Sequence, residues 1–237
     1  MSDVIGFILV FSLIAASVGL VSVVGFSELQ AARDAERLQN AERAFDVLGD
    51  NVEDVYRGGA PSRATEIKLA DATLGFGGTT EITVTVDGTS FTRTLRPIVY
   101  EAAGTRIVYE AGAVIRADRV GARMIRDPSL LVTSDATAMQ MARTVPDPER
   151  NLGGRTTVLI RVTRTSTSLL NRSSGDDVSL EIETTEQRAP AWKRYFDDTA
   201  IGDCAVSGGT VTCPASGTFT PAEFSLVSTR MEVELVP

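Results

Sequence analysis

VIGFILVFSLIAASVGLVSVVGFS, residues 4–27, contains no charged side chain. At about 1.5 Å per residue, a helix of that length crosses a hydrocarbon core of roughly 30 Å. Its apolar residues surround every face rather than forming a stripe, so burial in the core of a soluble domain is disfavoured. A secretory signal peptide would carry a basic start and a shorter apolar stretch. Here Asp3 flanks the run, and no Lys or Arg precedes it. Two readings remain: a lone membrane anchor, or a helix that packs against copies of itself. Ser12 with Ala16, and Ala15 with Gly19, form small-xxx-small pairs that let helices approach closely, with Gly6 and Gly25 as further low spots.

Downstream, 28–57 reads as an amphipathic helix with no Pro and only Gly49 inside it. Leu38, Ala41, Phe45, Leu48, Val52 and Val55 recur at spacings of three and four, a seam of heptad type, while Arg33, Glu36, Glu42, Asp46, Asp50 and Glu53 are among the charges on the other faces. The C-terminal half of this seam is also suited to packing under the chain's own globular domain. Ser27 with Gln30 could cap a separate helix, or the two segments could form one rod of roughly 80 Å.

Gly58, Gly59 and Pro61 end the helix, and the periodicity changes to two. Strands are predicted over 65–69, 81–86, 90–95, 106–110, 113–117, 156–164, 178–183 and 225–235. Asp87-Gly88 and Ala111-Gly112 are the turns between neighbouring strands. Pro190 opens one short helix whose Trp192, Tyr195 and Phe196 share a core-facing side. The expected fold is α+β: a long N-terminal hydrophobic helix (1–57, apolar over 4–27 and amphipathic over 28–57), then a mainly antiparallel, β-sandwich-like domain over 58–237.

The chemistry of the chain is narrow. It has no histidine and only two cysteines, which excludes His-dependent triads, thiolate zinc sites and iron–sulfur clusters. Its net charge of -8 and lack of a Lys/Arg cluster argue against nucleic acid as a partner. Lys68 and Lys193 are the only lysines, an acidic, Arg-rich balance compatible with a salt-rich habitat. Asp176-Asp177, Asp197-Asp198 and the 146–149 loop match no calcium-loop spacing and read as solvated charge. No P-loop, GxSxG or GxGxxG motif occurs, and no cofactor or metal is expected. An anchored hydrolase would need a convergent polar pocket in the β domain.

Cys204 and Cys213 flank CAVSGGTVTC, in which Gly208-Gly209 can turn a hairpin and bring the sulfurs together. The expected disulfide places the domain outside the cytoplasm. Asn171-Arg172-Ser173 is an N-glycosylation sequon in the polar stretch 171–177, which predicts Asn171 on an exposed loop between strands.

The opening Ser2-Asp3-Val4-Ile5-Gly6-Phe7, followed by an uninterrupted apolar helix and an Ala/Arg/Glu helix leading into a β domain, resembles archaeal type IV pilins, particularly haloarchaeal pilin-like proteins. The specific likeness covers roughly the first sixty residues. In that family a prepilin peptidase trims a short basic leader; the pilus assembly machinery then draws apolar helices from the membrane into a filament core that the globular domains coat. The sequence departs from the precursor pattern, because Met1 directly precedes Ser2 without a Lys/Arg leader. It also lacks the glutamate that bacterial pilins carry just inside the apolar helix. The resemblance implies a homopolymeric structural subunit of an extracellular filament for adhesion or surface attachment, with Ser12, Ala15, Ala16 and Gly19 at its helix contacts. The alternative is a monomeric membrane-anchored surface domain for adhesion or ligand binding.

Overall fold

The computed structural model describes residues 2–237, with side chains placed for 4–21 and 28–237. Asp3, Gly25 and the Ser27 cap therefore lie outside the described side chains. The first element, α1 (Ser2–Tyr56), is a single helix, so no separate helix starts at residue 27. The chain divides into two compact units, residues 1–40 and 41–237. The first is helical throughout its described length.

The second unit begins with the last turns of α1 and continues into the β domain. Ala41, Phe45, Leu48, Val52 and Val55, five residues of the predicted seam, are buried there. Strands β1 (Ser62–Lys68), β2 (Ala72–Phe76), β3 (Thr80–Val86) and β4 (Thr89–Leu95) come first. They are followed by β5 (Ile98–Ala102), β6 (Thr105–Glu110), β7 (Ala113–Ala117) and β8 (Ala122–Arg126). Next are β9 (Leu131–Val132), β10 (Ala136–Pro146), β11 (Leu152–Gly154), β12 (Thr157–Ser173) and β13 (Val178–Glu183). A short helix, α2 (Ala189–Asp197), precedes β14 (Ala205–Ser207), β15 (Thr210–Cys213) and β16 (Glu223–Val236).

Three sheets result, ordered β1-β12-β16-β10-β9, β11-β2-β5-β6-β7-β8 and β14-β15-β13-β3-β4. Every ladder is antiparallel except β10 with β16, which pair parallel from Ala136↔Glu223 to Pro146↔Val233. The class is thus α+β with stacked, mostly antiparallel sheets. Strict alternation of buried and half-buried residues in β3 and β13 shows why period two sets these strands: one face packs and the other meets solvent. The hairpin turns expected at Asp87-Gly88 and Ala111-Gly112 are present, and all four residues hold positive φ. The hydrophobic core includes Val84, Ile115, Leu180, Trp192, Phe196 and Leu226, which joins all three sheets and α2.

One expectation is overturned. Asn171 sits inside β12 opposite Leu226, not on a loop, because β12 continues nine residues past Arg164. The Thr/Ser-rich 165–173 segment has the composition of a loop. Its backbone nonetheless follows the fourteen-residue apolar alternation of β16, and Thr167 pairs its hydroxyl with that of Thr229 at 3.2 Å.

Candidate functional site

Each unit offers its own candidate. In the first, Val4–Val21 has a mean hydropathy of 2.7 and none of it is buried, so by length and composition it can cross a membrane. Ser12, Ala15, Ala16 and Gly19 are all exposed, and their spacing places them on one stripe of the helix. A Cβ added at Gly6 or Gly19 would meet nothing within 4 Å. Phe7 and Phe11 stack along the helix with ring centres 6.2 Å apart. The Ser17 hydroxyl donates to the Ile14 carbonyl at 2.8 Å, which satisfies it without a water.

In the second unit the C-terminal turns of α1 are fixed to the sheets by apolar and ionic contacts. Phe45 meets Tyr100 of β5 edge-to-face at 6.4 Å, and Asn51 donates to the Thr65 hydroxyl of β1 at 2.8 Å. Arg126, on β8, reaches Asp46 at 3.3 Å, Asp50 at 2.7 Å and Glu53 at 2.9 Å. Gly49 makes this possible: a Cβ there would lie 2.7 Å from the Arg126 Cδ. The lone glycine of the amphipathic helix is therefore a passage for an arginine stem. Burial opposes charge on Arg126, but hydrogen bonds to Asp50 and Glu53 outweigh it and raise its pKa. Glu53 is correspondingly held low, since its bonds to Ser129 and Arg126 outweigh desolvation. Arg116 adds a second tie to the helix through Glu42 at 2.6 Å.

The most enclosed polar group is Glu110, at the end of β6 and 0% exposed. Its Oε2 accepts from Trp192 Nε1 at 2.8 Å and from Arg188 Nε at 3.2 Å. Its Oε1 accepts from Arg188 Nη2 at 3.0 Å, from the Thr184 hydroxyl at 2.8 Å and from the Thr80 hydroxyl. One carboxylate thereby binds β3, β6, the residue after β13 and α2. A fully enclosed, fully bonded carboxylate has no lone pair left for a ligand, so this cluster holds structure and does not present a reactive group. Neither Glu110 nor Arg188 stands out in the sequence. A Glu closing an apolar strand and an Arg ahead of a Pro-started helix are unremarkable separately, and only the fold brings them within 3 Å.

The two cysteines are joined as expected: Cys204 and Cys213 form a disulfide with Cα atoms 4.4 Å apart, across the β14–β15 hairpin that turns at Gly208-Gly209. Gly209 is required there, because a Cβ would stand 2.4 Å from the Thr184 carbonyl oxygen. Trp192 and Phe196 are core residues, with Tyr195 partly buried beside them. One carboxylate of each loop group is engaged locally. Asp197 accepts from Lys193 at 2.5 Å and from the Cys204 amide at 2.9 Å, and these bonds hold its pKa low. Asp177 accepts from Thr220 at 2.6 Å, and Glu149 pairs with Arg96 at 2.5 Å. Among the described residues no three His, Cys, Asp or Glu side chains converge as a metal site. Asn171 is half-buried, and its Oδ1, like the Ser173 Oγ, is enclosed without a hydrogen-bond partner. Beside them lies a cleft of about 400 Å³ that includes Arg172, Ser173, Glu223 and Phe224 in its wall.

The chain belongs to a family of unknown function, DUF7289, which matches it over residues 1–234 and so takes in the apolar helix as well as the β domain. No curated protein and no solved structure matches it.

Proposed function

We propose that the chain is a structural subunit of an extracellular type IV pilus-like filament, held in the membrane by its N-terminal helix before assembly and packed through that helix afterwards. One observation carries the reading: Val4–Val21 is apolar on every face and wholly unburied in the single chain. Such a helix has two stable surroundings, lipid or a bundle of equivalent helices, and transfer between them is cheap because both are apolar. The stripe Ser12, Ala15, Ala16 and Gly19 favours the bundle, and the resemblance of residues 2–7 to archaeal pilins points the same way. The disulfide fits an outer, oxidising location for the β domain. By the same resemblance, a prepilin peptidase and pilus assembly machinery are the partners that process and export it, and adhesion or surface attachment is the role of the polymer.

The test is Ala15→Leu/Gly19→Leu. Overpacking costs about 1–3 kcal/mol per site, repeated at every subunit of a polymer, while Leu is as favourable in lipid as Ala or Gly. The variant is expected to insert in the membrane at normal abundance yet form few filaments by electron microscopy. Filaments of normal number would show that this stripe does not set the packing. A chain whose wild type and variant both remain anchored monomers would instead be a surface domain for adhesion or ligand binding.

A further inference from the structure

Several sheet edges of the second unit lack a neighbouring strand, among them β1, β4, β8 and the C-terminal part of β12. On β12 the outer edge is covered by β1 only from Thr157 to Thr163, after which the Arg164 amide closes on the Pro61 carbonyl. From 165 to 173 the strand pairs with β16 alone. Residues 165–169 are exposed in succession, with Leu169 at 61%. The segment TSTSLLNRS has no Pro, Lys, Asp or Glu, the residues that natural edge strands use to discourage pairing. Two irregularities, beside Arg164 and Leu169, bend the strand but leave Ser166 to Leu169 in regular register with Arg230 to Val227. On β4 the outer side is used only at its C-terminal end. There the Thr94 carbonyl accepts from Arg143 at 3.1 Å and the Arg96 amide donates to the Thr144 carbonyl at 2.9 Å. The stretch 89–93 pairs with β3 alone.

An unpaired row of amides and carbonyls is complementary to another extended backbone. We propose that β4 of one copy adds, antiparallel, to the 165–173 edge of β12 in the next copy, so that the outer domains are joined by strand addition as well as by the apolar helices. This rests on the filament reading, and three observations select the occupant. A helical polymer requires two different complementary surfaces, whereas β12 against β12 would close a two-fold pair, and the open 89–93 stretch of β4 carries no Pro, Lys, Asp or Glu, unlike the open edge of β1 with its Glu66 and Lys68. The exposed Arg172 at the far end of the β12 edge has no ion-pair partner among the described residues. Antiparallel addition brings the turn that opens β4 beside it, and that turn carries Asp87, whose carboxylate already gathers the Asp177 amide at 3.1 Å.

Amide hydrogen exchange on the full chain, compared between filaments and detergent-dispersed protein, tests this. Protection at 89–93 and at 165–173 is expected to rise about tenfold or more in the filament, while β13, paired on both sides, does not change. Filaments in which either edge exchanges at its dispersed rate overturn the proposal; protection of 165–173 alone would mean a different occupant. As a second measurement, Ser166→Lys/Ser168→Lys places two ammonium groups along the exposed edge and is expected to lower filament mass about tenfold with the disulfide intact. Wild-type filament yield from this variant overturns strand addition and leaves the helix-packed filament standing. Absence of filaments from the unmodified chain refutes the filament reading itself, and electron microscopy of the same sample distinguishes the two failures.

Discussion

Replacing Glu110 with Leu removes the acceptor for five donors at once. The Arg188 side chain, 7% exposed, would keep only the Thr184 hydroxyl as an acceptor for its Nε and lose its counter-charge, the Trp192 indole N–H would have no acceptor, and the Thr80 and Thr184 hydroxyls would have to donate elsewhere. Breaking a buried ion pair by deleting one partner costs about 3–5 kcal/mol. Each orphaned neutral donor adds about 1–3 kcal/mol, less what rotation of a hydroxyl recovers. These contributions overlap, so we expect about 4–5 kcal/mol in total, a large fraction of the roughly 5–15 kcal/mol that holds a domain folded. Adding Arg188→Met removes the stranded charge and should recover about 2 kcal/mol of that loss, although the indole remains unsatisfied. Urea unfolding of the full chain in detergent provides the assay. Trp192 is the only tryptophan and touches Glu110, so its fluorescence reports the core directly, with circular dichroism as the independent signal. With an m-value of about 2 kcal/mol/M, Glu110→Leu should lower the midpoint by about 2 M at unchanged m. A shift below about 0.5 M would refute the claim that one buried carboxylate binds the sheets to α2.

Arg126→Met should destabilise the second unit by about 1–2 kcal/mol at low salt, because Asp46, Asp50 and Glu53 then repel along one helix face, and added salt should shrink the loss; a loss that grows with salt would contradict it. Cys204→Ser/Cys213→Ser opens a loop of nine residues and should lower stability by about 2–3 kcal/mol while leaving β3 and β13 paired, as read by thermal melting and hydrogen exchange. Burial, then the Glu53 charge, pushes the Tyr56 pKa up to about 12 from its ordinary value of 10, so its contribution is complete below pH 10 and disappears as pH rises to 12. Alkaline titration of the folded protein should therefore show a delayed phenolate absorbance and a stability that falls across that window. On the acid side, the lowered pKa of Glu53 supports stability above the ordinary carboxylate range, and this is lost as pH falls through its folded value.

The long helix and half of the strands are legible because their signals are local. An uncharged apolar run admits few interpretations, and period-two alternation marked β3, β4, β6, β7, β13 and β16. What escaped was set by tertiary pairing. β10, Ala136–Pro146, contains Met, Gln, Ala and Arg, without the β-branched density that marks a strand. It is held by its parallel partner β16 across eleven pairs. The end of β12 around Asn171 reads as a loop for the same reason, its strand conformation being set by pairing with β16. At the sites, the disulfide could be read from a ten-residue hairpin, whereas Glu110 and Arg188 lie 78 residues apart and meet only once β6, β3 and α2 are brought together. Gly49 was visible as a helix imperfection, but its use as a channel for Arg126 required β8 to be placed.

Electron microscopy of the purified, unmodified protein after removal of detergent decides between a filament subunit and an anchored monomer. A filament subunit gives uniform filaments with a dense axial core of packed N-terminal helices and the β domains outside. Reconstitution into bilayers as dispersed, single anchored domains, with no filaments at any salt concentration, would contradict the filament reading.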